Sequence, residues 1–143
     1  MVDILLVEDN PSDAELALHA LRQNNIADRV FLVRDGAEAL DYLFCRGDFS
    51  DRSAGDLPKV ILLDLKLPKV DGLDVLRQIK ANERTRTVPV VVLTSSQLHR
   101  DVDESYRLGA NSYIVKPVAF GQFSKAVRDL GQYWLQLNEP PSH

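Results

Sequence analysis

Five short stretches of the chain are apolar along their whole length, and they constrain the fold more than any other feature. They are rich in Val, Ile and Leu, which favours β-strands, and they cover residues 4–7, 30–33, 60–63, 90–93 and 113–115. A strand with one face in water alternates apolar and polar residues, whereas a strand in a parallel sheet is covered by helices on both faces. The stretches therefore predict five parallel strands in the protein interior.

The segments between these predicted strands have apolar residues at the spacing of amphipathic helices. Examples are Leu18 and Leu21 in the first segment and Leu73, Leu76 and Ile79 in the third. Asn10 is a suitable N-cap for the first helix, and Pro11 is a suitable first helical residue. Strands that alternate with helices predict an α/β fold, a doubly wound (βα)5 domain with a five-stranded parallel sheet.

Three of the remaining segments have less regular patterns. Residues 45–58 are polar and predict an extended surface loop before the third strand. Residues 101–108 contain few sizeable apolar residues, so we expect this fourth helix to dock weakly and to be mobile. The fifth helix, from 119 to about 137, has more aromatic side chains than one face can bury, so we expect Phe123 and Trp134 in the core and part of Phe120 and Tyr133 exposed.

The composition limits the classes of function. The chain has 143 residues, 45% of them apolar, and a net charge of −4. We expect one domain over residues 1–137, a frayed tail at 138–143 and no output domain. The negative charge argues against nucleic-acid binding, the single cysteine, Cys45, rules out a disulfide framework, and no apolar run is long enough to span a membrane. These features predict a soluble cytoplasmic protein.

Polar side chains lie at the ends of four predicted strands. Glu8 and Asp9 follow the first, Asp64 follows the third, Thr94 ends the fourth and Lys116 follows the fifth. Each has an ordinary explanation by itself, since chains that leave a sheet meet water. In a parallel sheet, however, the carboxyl ends of the strands lie at one edge, where ligands bind. The sequence therefore predicts a site of three acids, one hydroxyl and one cation.

Three carboxylates close together repel one another unless a cation lies among them. Oxygen ligands without histidine or cysteine favour Mg²⁺, or Mn²⁺ in its place, over zinc. The three histidines, His19, His99 and His143, are dispersed, so we expect no histidine ligand. With a bound metal, an aspartate oxygen can attack phosphorus while a lysine and a hydroxyl hold the phosphoryl oxygens. The residue types suit the formation of an aspartyl phosphate.

Four segments of the sequence, LLVEDN, ILLDLKLPKVDG, VVVLTSS and NSYIVKP, resemble the signature segments of two-component response regulator receiver domains. The resemblance covers nearly the whole chain and implies a flavodoxin-like receiver fold with strand order 2-1-3-4-5. The loop before the third strand, the LTSS segment and the ending FSKAVRDLGQYWL resemble a narrower group. This group comprises the single-domain response regulators that pair with phytochrome kinases of cyanobacteria and other bacteria.

The resemblance implies an acceptor and a metal site. Asp64 would accept the phosphoryl group, and the domain, a signalling phosphoacceptor rather than an enzyme, would itself catalyse both its phosphorylation and its dephosphorylation. Asp9, Asp64 and the backbone carbonyl of Lys66 would bind Mg²⁺ directly, and Glu8 would act through metal-bound water.

The resemblance also implies a switch. Thr94 would hydrogen-bond the phosphoryl group, and Lys116 would pair with another of its oxygens, with its position set by a cis bond to Pro117. Tyr113 would be the aromatic residue that turns inward on phosphorylation. Its movement would repack the face made by the fourth helix, the fifth strand and the fifth helix.

The partners implied by the resemblance are other signalling proteins. A sensor histidine kinase, of the phytochrome type, would donate the phosphoryl group, and a histidine phosphotransfer protein would be a further recipient. A homodimer would form through the face of the fourth helix, fifth strand and fifth helix.

Three other interpretations stay open. A haloacid-dehalogenase-type phosphohydrolase also uses a strand-end aspartate, Mg²⁺ and a lysine, but it normally needs a second aspartate where this chain has Lys66. A flavodoxin binds a phosphate in its first loop, where Glu8 and Asp9 would repel it. A receiver fold can also serve as a phosphorylation-independent interaction module, although the intact acceptor, acid pair, Thr94 and Lys116 argue against that role.

Overall fold

The computed structural model describes residues 2–23, 29–117 and 119–141, and of Phe120 the backbone alone. Five parallel strands form one sheet in the order β2-β1-β3-β4-β5, which confirms the predicted (βα)5 receiver fold. The strands are β1 (Ile4–Val7), β2 (Val30–Val33), β3 (Val60–Leu63), β4 (Val90–Thr94) and β5 (Ser112–Val115). The helices are α1 (Pro11–Gln23), α2 (Gly36–Leu43), α3 (Gly72–Ala81), α4 (His99–Arg107) and α5 (Phe120–Gln132).

The sheet is covered on both faces, as the uniformly apolar strands predict. Leu5 and Val7 of β1 lie in a core that includes residues of α2 and α3, while Ile4 and Leu6 lie in a second core with residues of α1 and α5. The residues of β1, β3 and β4 are all buried, whereas most residues of the edge strands β2 and β5 are half-buried. The three central strands therefore form a rigid base for the residues that follow them.

The register of the strands brings distant parts of the sequence together at the carboxyl edge. Val7 is paired with Leu63, so Glu8 and Asp64 follow side by side, and the Asp64 N–H donates to the carbonyl of Val7 at 3.1 Å. At the other side of the sheet, the Lys116 N–H donates to the carbonyl of Thr94 at 2.7 Å. Backbone pairing alone therefore brings the predicted site residues to the carboxyl edge of the sheet.

The segment between α2 and β3 is more ordered than the predicted extended loop. It contains a 3₁₀ turn, Gly47–Phe49, and the ring of Phe49 packs edge-on against Phe31 and Tyr42. The Arg52 guanidinium lies 3.7 Å from the centre of the Tyr42 ring. Aromatic contacts, together with the hydrogen bond from Arg52 to the Tyr42 carbonyl, hold the loop to the domain, and the polar composition of the segment concealed the aromatic contacts.

The last helical segment continues past α5 as one π-helical turn, Tyr133–Leu137. Phe123 is buried and Trp134 packs half-buried against the same core, as predicted. Tyr133 is 48% exposed, in line with the predicted excess of aromatic side chains. The side chain of Phe120 and all of His143 lie outside the described residues.

Candidate functional site

The predicted site residues meet at the carboxyl edge of the sheet. Glu8 and Asp64 are buried, with 3% and 6% of their surfaces exposed, and Thr94 is completely buried at the end of β4. Asp9, the next residue after Glu8, is exposed. The edge thus has two buried acids, Glu8 and Asp64, and one acid, Asp9, that is exposed to solvent.

Both carboxylate oxygens of Asp64 accept hydrogen bonds. Its Oδ1 accepts from the Thr94 hydroxyl at 2.8 Å and from the backbone N–H of Lys66 at 3.2 Å. Its Oδ2 accepts from Nζ of Lys116 at 2.9 Å. The three donors come from β4, the β3–α3 loop and the residue after β5, so the carboxylate orientation depends on the whole edge.

Lys116 is the cation of the cluster and contacts three acids. Its Nζ lies 2.6 Å from Oε1 of Glu8, 2.9 Å from Oδ2 of Asp64 and 2.9 Å from Oδ2 of Asp13. Only 10% of its side chain is exposed. Burial by itself lowers the pKa of Lys116, but its hydrogen bonds to the three acids prevail and hold that pKa above its usual value. Lys116 is therefore always charged at neutral pH.

The two buried acids ionise differently. Burial raises the pKa of Glu8 to about 7, against the opposing hydrogen bond from Lys116. Burial also acts to raise the pKa of Asp64, but hydrogen bonds from Lys116, Thr94 and Lys66 together with the Lys116 charge bring it below its usual value. Two neighbouring acids with separated pKa values commonly have different roles. Asp64 is the carboxylate that stays ionised, which a nucleophile requires.

Glu8, Asp9 and Asp64 fit a divalent cation. Each offers one carboxylate oxygen, and the three oxygens lie within 4.8 Å of one another. Mg²⁺ and Mn²⁺ prefer such oxygen donors, and the mutual repulsion of the carboxylates falls when a cation binds. The backbone N–H of Lys66 points to Asp64, while a metal contact from its carbonyl stays a prediction.

Two predictions concern residues near Lys116, and the structure tests the first of them; the switch role of Tyr113 stays a prediction. The Lys116–Pro117 peptide bond is trans, so the predicted cis bond is wrong. The trans isomer is the more stable form of most bonds to proline, and the long lysine stem reaches Asp64 from a trans backbone. Tyr113 is half-buried, and its hydroxyl donates to the backbone carbonyl of Ser96 at 3.0 Å. The ring is thus fastened to the β4–α4 loop.

Sequence reasoning missed Asp13 as a site residue, because an acid in the first turn of a helix has an ordinary capping explanation. The predicted cap itself is present, since the Asp13 N–H donates to Oδ1 of Asn10 at 3.0 Å. The available signal was closeness in the sequence: Asp13 lies four residues after Asp9, in the first turn of α1, which begins at the carboxyl edge of the sheet. That turn directs its carboxylate to Lys116.

Comparison with known families identifies the family to which this fold belongs. The model of the response regulator receiver domain matches residues 4–128. The chain belongs to the response regulator receiver family. Receiver domains are signalling modules of two-component systems, and Glu8, Asp9 and Asp64 form the acidic metal-binding cluster of this one.

Two curated receiver relatives match almost the whole chain. The probable methanogenesis regulatory protein FilR2 of Methanothrix harundinacea is 44% identical over 96% of this chain and 86% of its own length. Response regulator Rcp1 of Synechocystis is 38% identical over 97% of this chain and 92% of its own.

The solved receiver structures include phytochrome-linked proteins. The phosphorylated cyanobacterial phytochrome response regulator RcpA superposes with a TM-score of 0.92 at 40% identity, over 99% of both chains. The Mn²⁺-bound form of Rcp1 has a TM-score of 0.91 at 37% identity, over 99% of this chain and 100% of its own. Bacteriophytochrome response regulator RtBRR is 56% identical with a TM-score of 0.77, over 99% of this chain and 85% of its own. The receiver therefore resembles the phytochrome-linked, single-domain group.

No helix within the described residues is both long enough and apolar enough to cross a membrane.

Proposed function

We propose that this receiver accepts a phosphoryl group on Asp64 from the phosphohistidine of a sensor kinase. The observation that carries the proposal is the state of Asp64: a buried, ionised carboxylate held by Thr94, Lys66 and Lys116 at the edge where ligands of parallel sheets bind. An Asp64 oxygen forms a bond to phosphorus as the phosphorus–nitrogen bond breaks, and the histidine keeps the electron pair and takes up a proton. Attack of water later releases inorganic phosphate and restores the carboxylate.

The other site residues would bind the metal ion and the phosphoryl oxygens. Asp9, Asp64 and the Lys66 carbonyl would hold Mg²⁺, with Glu8 acting through water, and the bound ion would offset the negative charge of the phosphoryl group and the acids. Lys116 already lies 2.9 Å from Asp64 and needs little movement to pair with a phosphoryl oxygen. The residues of the receiver itself thus restrain the phosphoryl group, and no residue from another protein is needed for this.

Thr94 and Tyr113 form the switch in this proposal. The Thr94 hydroxyl, 2.8 Å from Asp64, turns to the phosphoryl group once Asp64 is esterified. Rotation of Tyr113 then changes its bond to the Ser96 carbonyl, which lies just before α4. One chemical event is thus coupled to the position of the β4–α4 loop.

The proposed partners are cytoplasmic signalling proteins. The phytochrome links of RcpA and RtBRR support a kinase of the phytochrome type as donor. A histidine phosphotransfer protein is the proposed recipient if the chain acts within a relay. The FilR2 relative indicates that close receivers also occur outside phytochrome signalling.

A homodimer through α4, β5 and the end of α5 is also proposed. Among the described residues, the exposed large apolar side chains all lie on these elements or beside them: Leu98, Tyr106, Val115, Tyr133 and Leu137. Next to β5, Ile114, Leu130, Tyr133 and Trp134 line an apolar groove of about 360 Å³. A second copy would cover this surface with identical apolar groups, which closed dimers commonly do.

The test of phosphorylation uses acetyl phosphate with and without Mg²⁺, followed by intact mass measurement. We expect one base-labile phosphate on the wild type, none on Asp64→Asn, and about tenfold more Mg²⁺ needed by Asp9→Asn. Asp74→Asn, which changes an exposed aspartate on α3, is the control and should behave like the wild type. Absence of the adduct in the wild type, even with a phosphorylated kinase, would support a phosphorylation-independent interaction module.

A further inference from the structure

Asp13 is the acid of the cluster that sequence reasoning did not assign. Its Oδ2 lies 2.9 Å from Nζ of Lys116, and 29% of its side chain is exposed. The N-cap bond to Asn10 fixes the first turn of α1, so the Asp13 carboxylate is presented from a rigid element. Asp13 is also separate from the three acids whose oxygens fit a metal ion.

The Lys116 ammonium has three N–H groups and three carboxylate partners. Phosphorylation changes two of these partners: Asp64 becomes the esterified residue, and Glu8 is the neighbour of the metal site. Asp13 is the partner that takes part in neither change. The flexible lysine side chain loses much of its rotational freedom only while a fixed carboxylate binds its ammonium group.

We propose that Asp13 is a positioning residue, which holds Nζ of Lys116 at the place where a phosphoryl oxygen binds. The inference rests on the proposed phosphorylation of Asp64. In this role Asp13 acts through Lys116 and touches neither the metal nor the phosphoryl group. Its removal leaves the ammonium held only by Glu8 and Asp64, the acid beside the metal site and the acid that reacts, so fewer molecules have the lysine in place when the phosphodonor arrives.

The direction in which the phosphorylation rate changes when Asp13 is neutralised distinguishes a positioning role from an effect of charge alone. A carboxylate near the site repels an anionic phosphodonor, so a residue that acted only through its charge would slow the reaction, and its neutralisation would speed it. A positioning role predicts the opposite result. Glu15, an exposed acid two residues further along α1, provides the same charge change and is not among the described partners of Lys116.

The experiment measures initial phosphorylation rates with acetyl phosphate over a range of donor and Mg²⁺ concentrations. We expect Asp13→Asn to lower the maximal rate about tenfold, with the Mg²⁺ midpoint within about twofold of the wild type. Asp13→Glu should recover at least part of the rate, and Glu15→Gln should match the wild type. In a Lys116→Met background, Asp13→Asn should have no further effect, because the lysine it positions is gone.

Three other outcomes would contradict one or the other proposal. If the wild type takes up no phosphate from acetyl phosphate or from a phosphorylated kinase, the proposed phosphorylation is wrong. If the wild type reacts and folded Asp13→Asn reacts equally fast or faster, only the positioning role is wrong. A shifted Mg²⁺ midpoint in Asp13→Asn would likewise overturn it, since it would place Asp13 in the metal site. Thermal unfolding of each variant checks that the fold is retained.

Discussion

The hydroxyl of Thr94 is completely buried and donates to Asp64, the residue proposed to react. Thr94→Val keeps the side-chain shape and removes this donor. We expect the free energy of unfolding to fall by about 1–3 kcal/mol, because a buried carboxylate oxygen loses a partner. Acetyl phosphate should still phosphorylate Asp64, whereas the rotation of Tyr113 should no longer follow. Denaturant unfolding and NMR of the Tyr113 ring measure the two effects.

A Thr94→Val protein whose Tyr113 still rotates on phosphorylation would separate Thr94 from the switch. Thr87→Val provides the control, since Thr87 precedes β4 and lies outside the cluster at its carboxyl end.

At the residue scale, the site residues that could be predicted from the sequence are those at the ends of strands. Glu8, Asp64, Thr94 and Lys116 come together because parallel pairing brings the ends of β1, β3, β4 and β5 to one edge. Asp13 escaped prediction because its contact depends on the rotation of a helix about its axis. The isomer of the Lys116–Pro117 bond depends on contacts that a motif does not contain.

The helix α4 has an unusual attachment to the domain. Its one buried residue is Ser105, which is completely inaccessible, and the Ser105 hydroxyl has no hydrogen-bond partner among the described residues. A buried hydroxyl without a partner opposes docking. The weak docking predicted from the sequence therefore has a second cause besides the shortage of apolar residues.

Ser105→Ala should strengthen this attachment. We expect the free energy of unfolding to rise by about 1 kcal/mol, since the unpaired hydroxyl is removed and alanine favours the helix. Amide hydrogen exchange within α4 should slow as well. Ser124→Ala, which makes the same change at a half-buried position of α5, should give a smaller gain. Unchanged exchange in α4 would show that the Ser105 hydroxyl does not limit docking.

The start of α2 holds the loop that follows Asp64. The Gly36 N–H donates to the carbonyl of Pro68 at 3.2 Å. A Cβ on Gly36 would lie only 2.0 Å from the carbonyl oxygen of Val70, a backbone atom. The glycine is needed for this close approach, and the approach fixes the loop that contains Lys66.

Gly36→Ala should therefore destabilise the domain and disturb the metal site together. We expect a loss of about 1–3 kcal/mol in the free energy of unfolding, because the loop must shift to admit the methyl group. Gly121→Ala is the matched control: a Cβ there meets open space in α5, so it should stabilise by about 0.5–1 kcal/mol. Equal effects of the two substitutions on unfolding would contradict the crowding at Gly36.

At the scale of the whole molecule, the fold follows from the sequence because the hydrophobic pattern leaves few options. Strands that are buried on both faces require helices on both sides, and the order of elements then specifies a doubly wound sheet. The exposed faces are less predictable: the position of Tyr133 depends on a π-helical turn that local propensity does not indicate. Surfaces that bind partners are the least determined by such patterns.

The proposed dimer gives a prediction for the assembled protein. Tyr106→Glu places a charge on an exposed residue of α4, and we expect the dimer dissociation constant to rise at least about tenfold, as for a central apolar contact. Gln78→Glu adds the same charge to an exposed position on α3 and should leave association unchanged. Light scattering at micromolar concentration, with and without beryllofluoride, makes the comparison. A wild type that stays monomeric in both conditions would exclude the dimer.

The contacts of Lys116 span most of the chain, since 103 residues separate it from Asp13 and 52 separate it from Asp64. During synthesis the acids emerge from the ribosome long before this cation does. A nascent chain that lacks residue 116 has the repelling carboxylates without the ammonium that draws them together. The proposed phosphoryl-accepting site is therefore completed late in translation, only after residue 116 has been added to the chain.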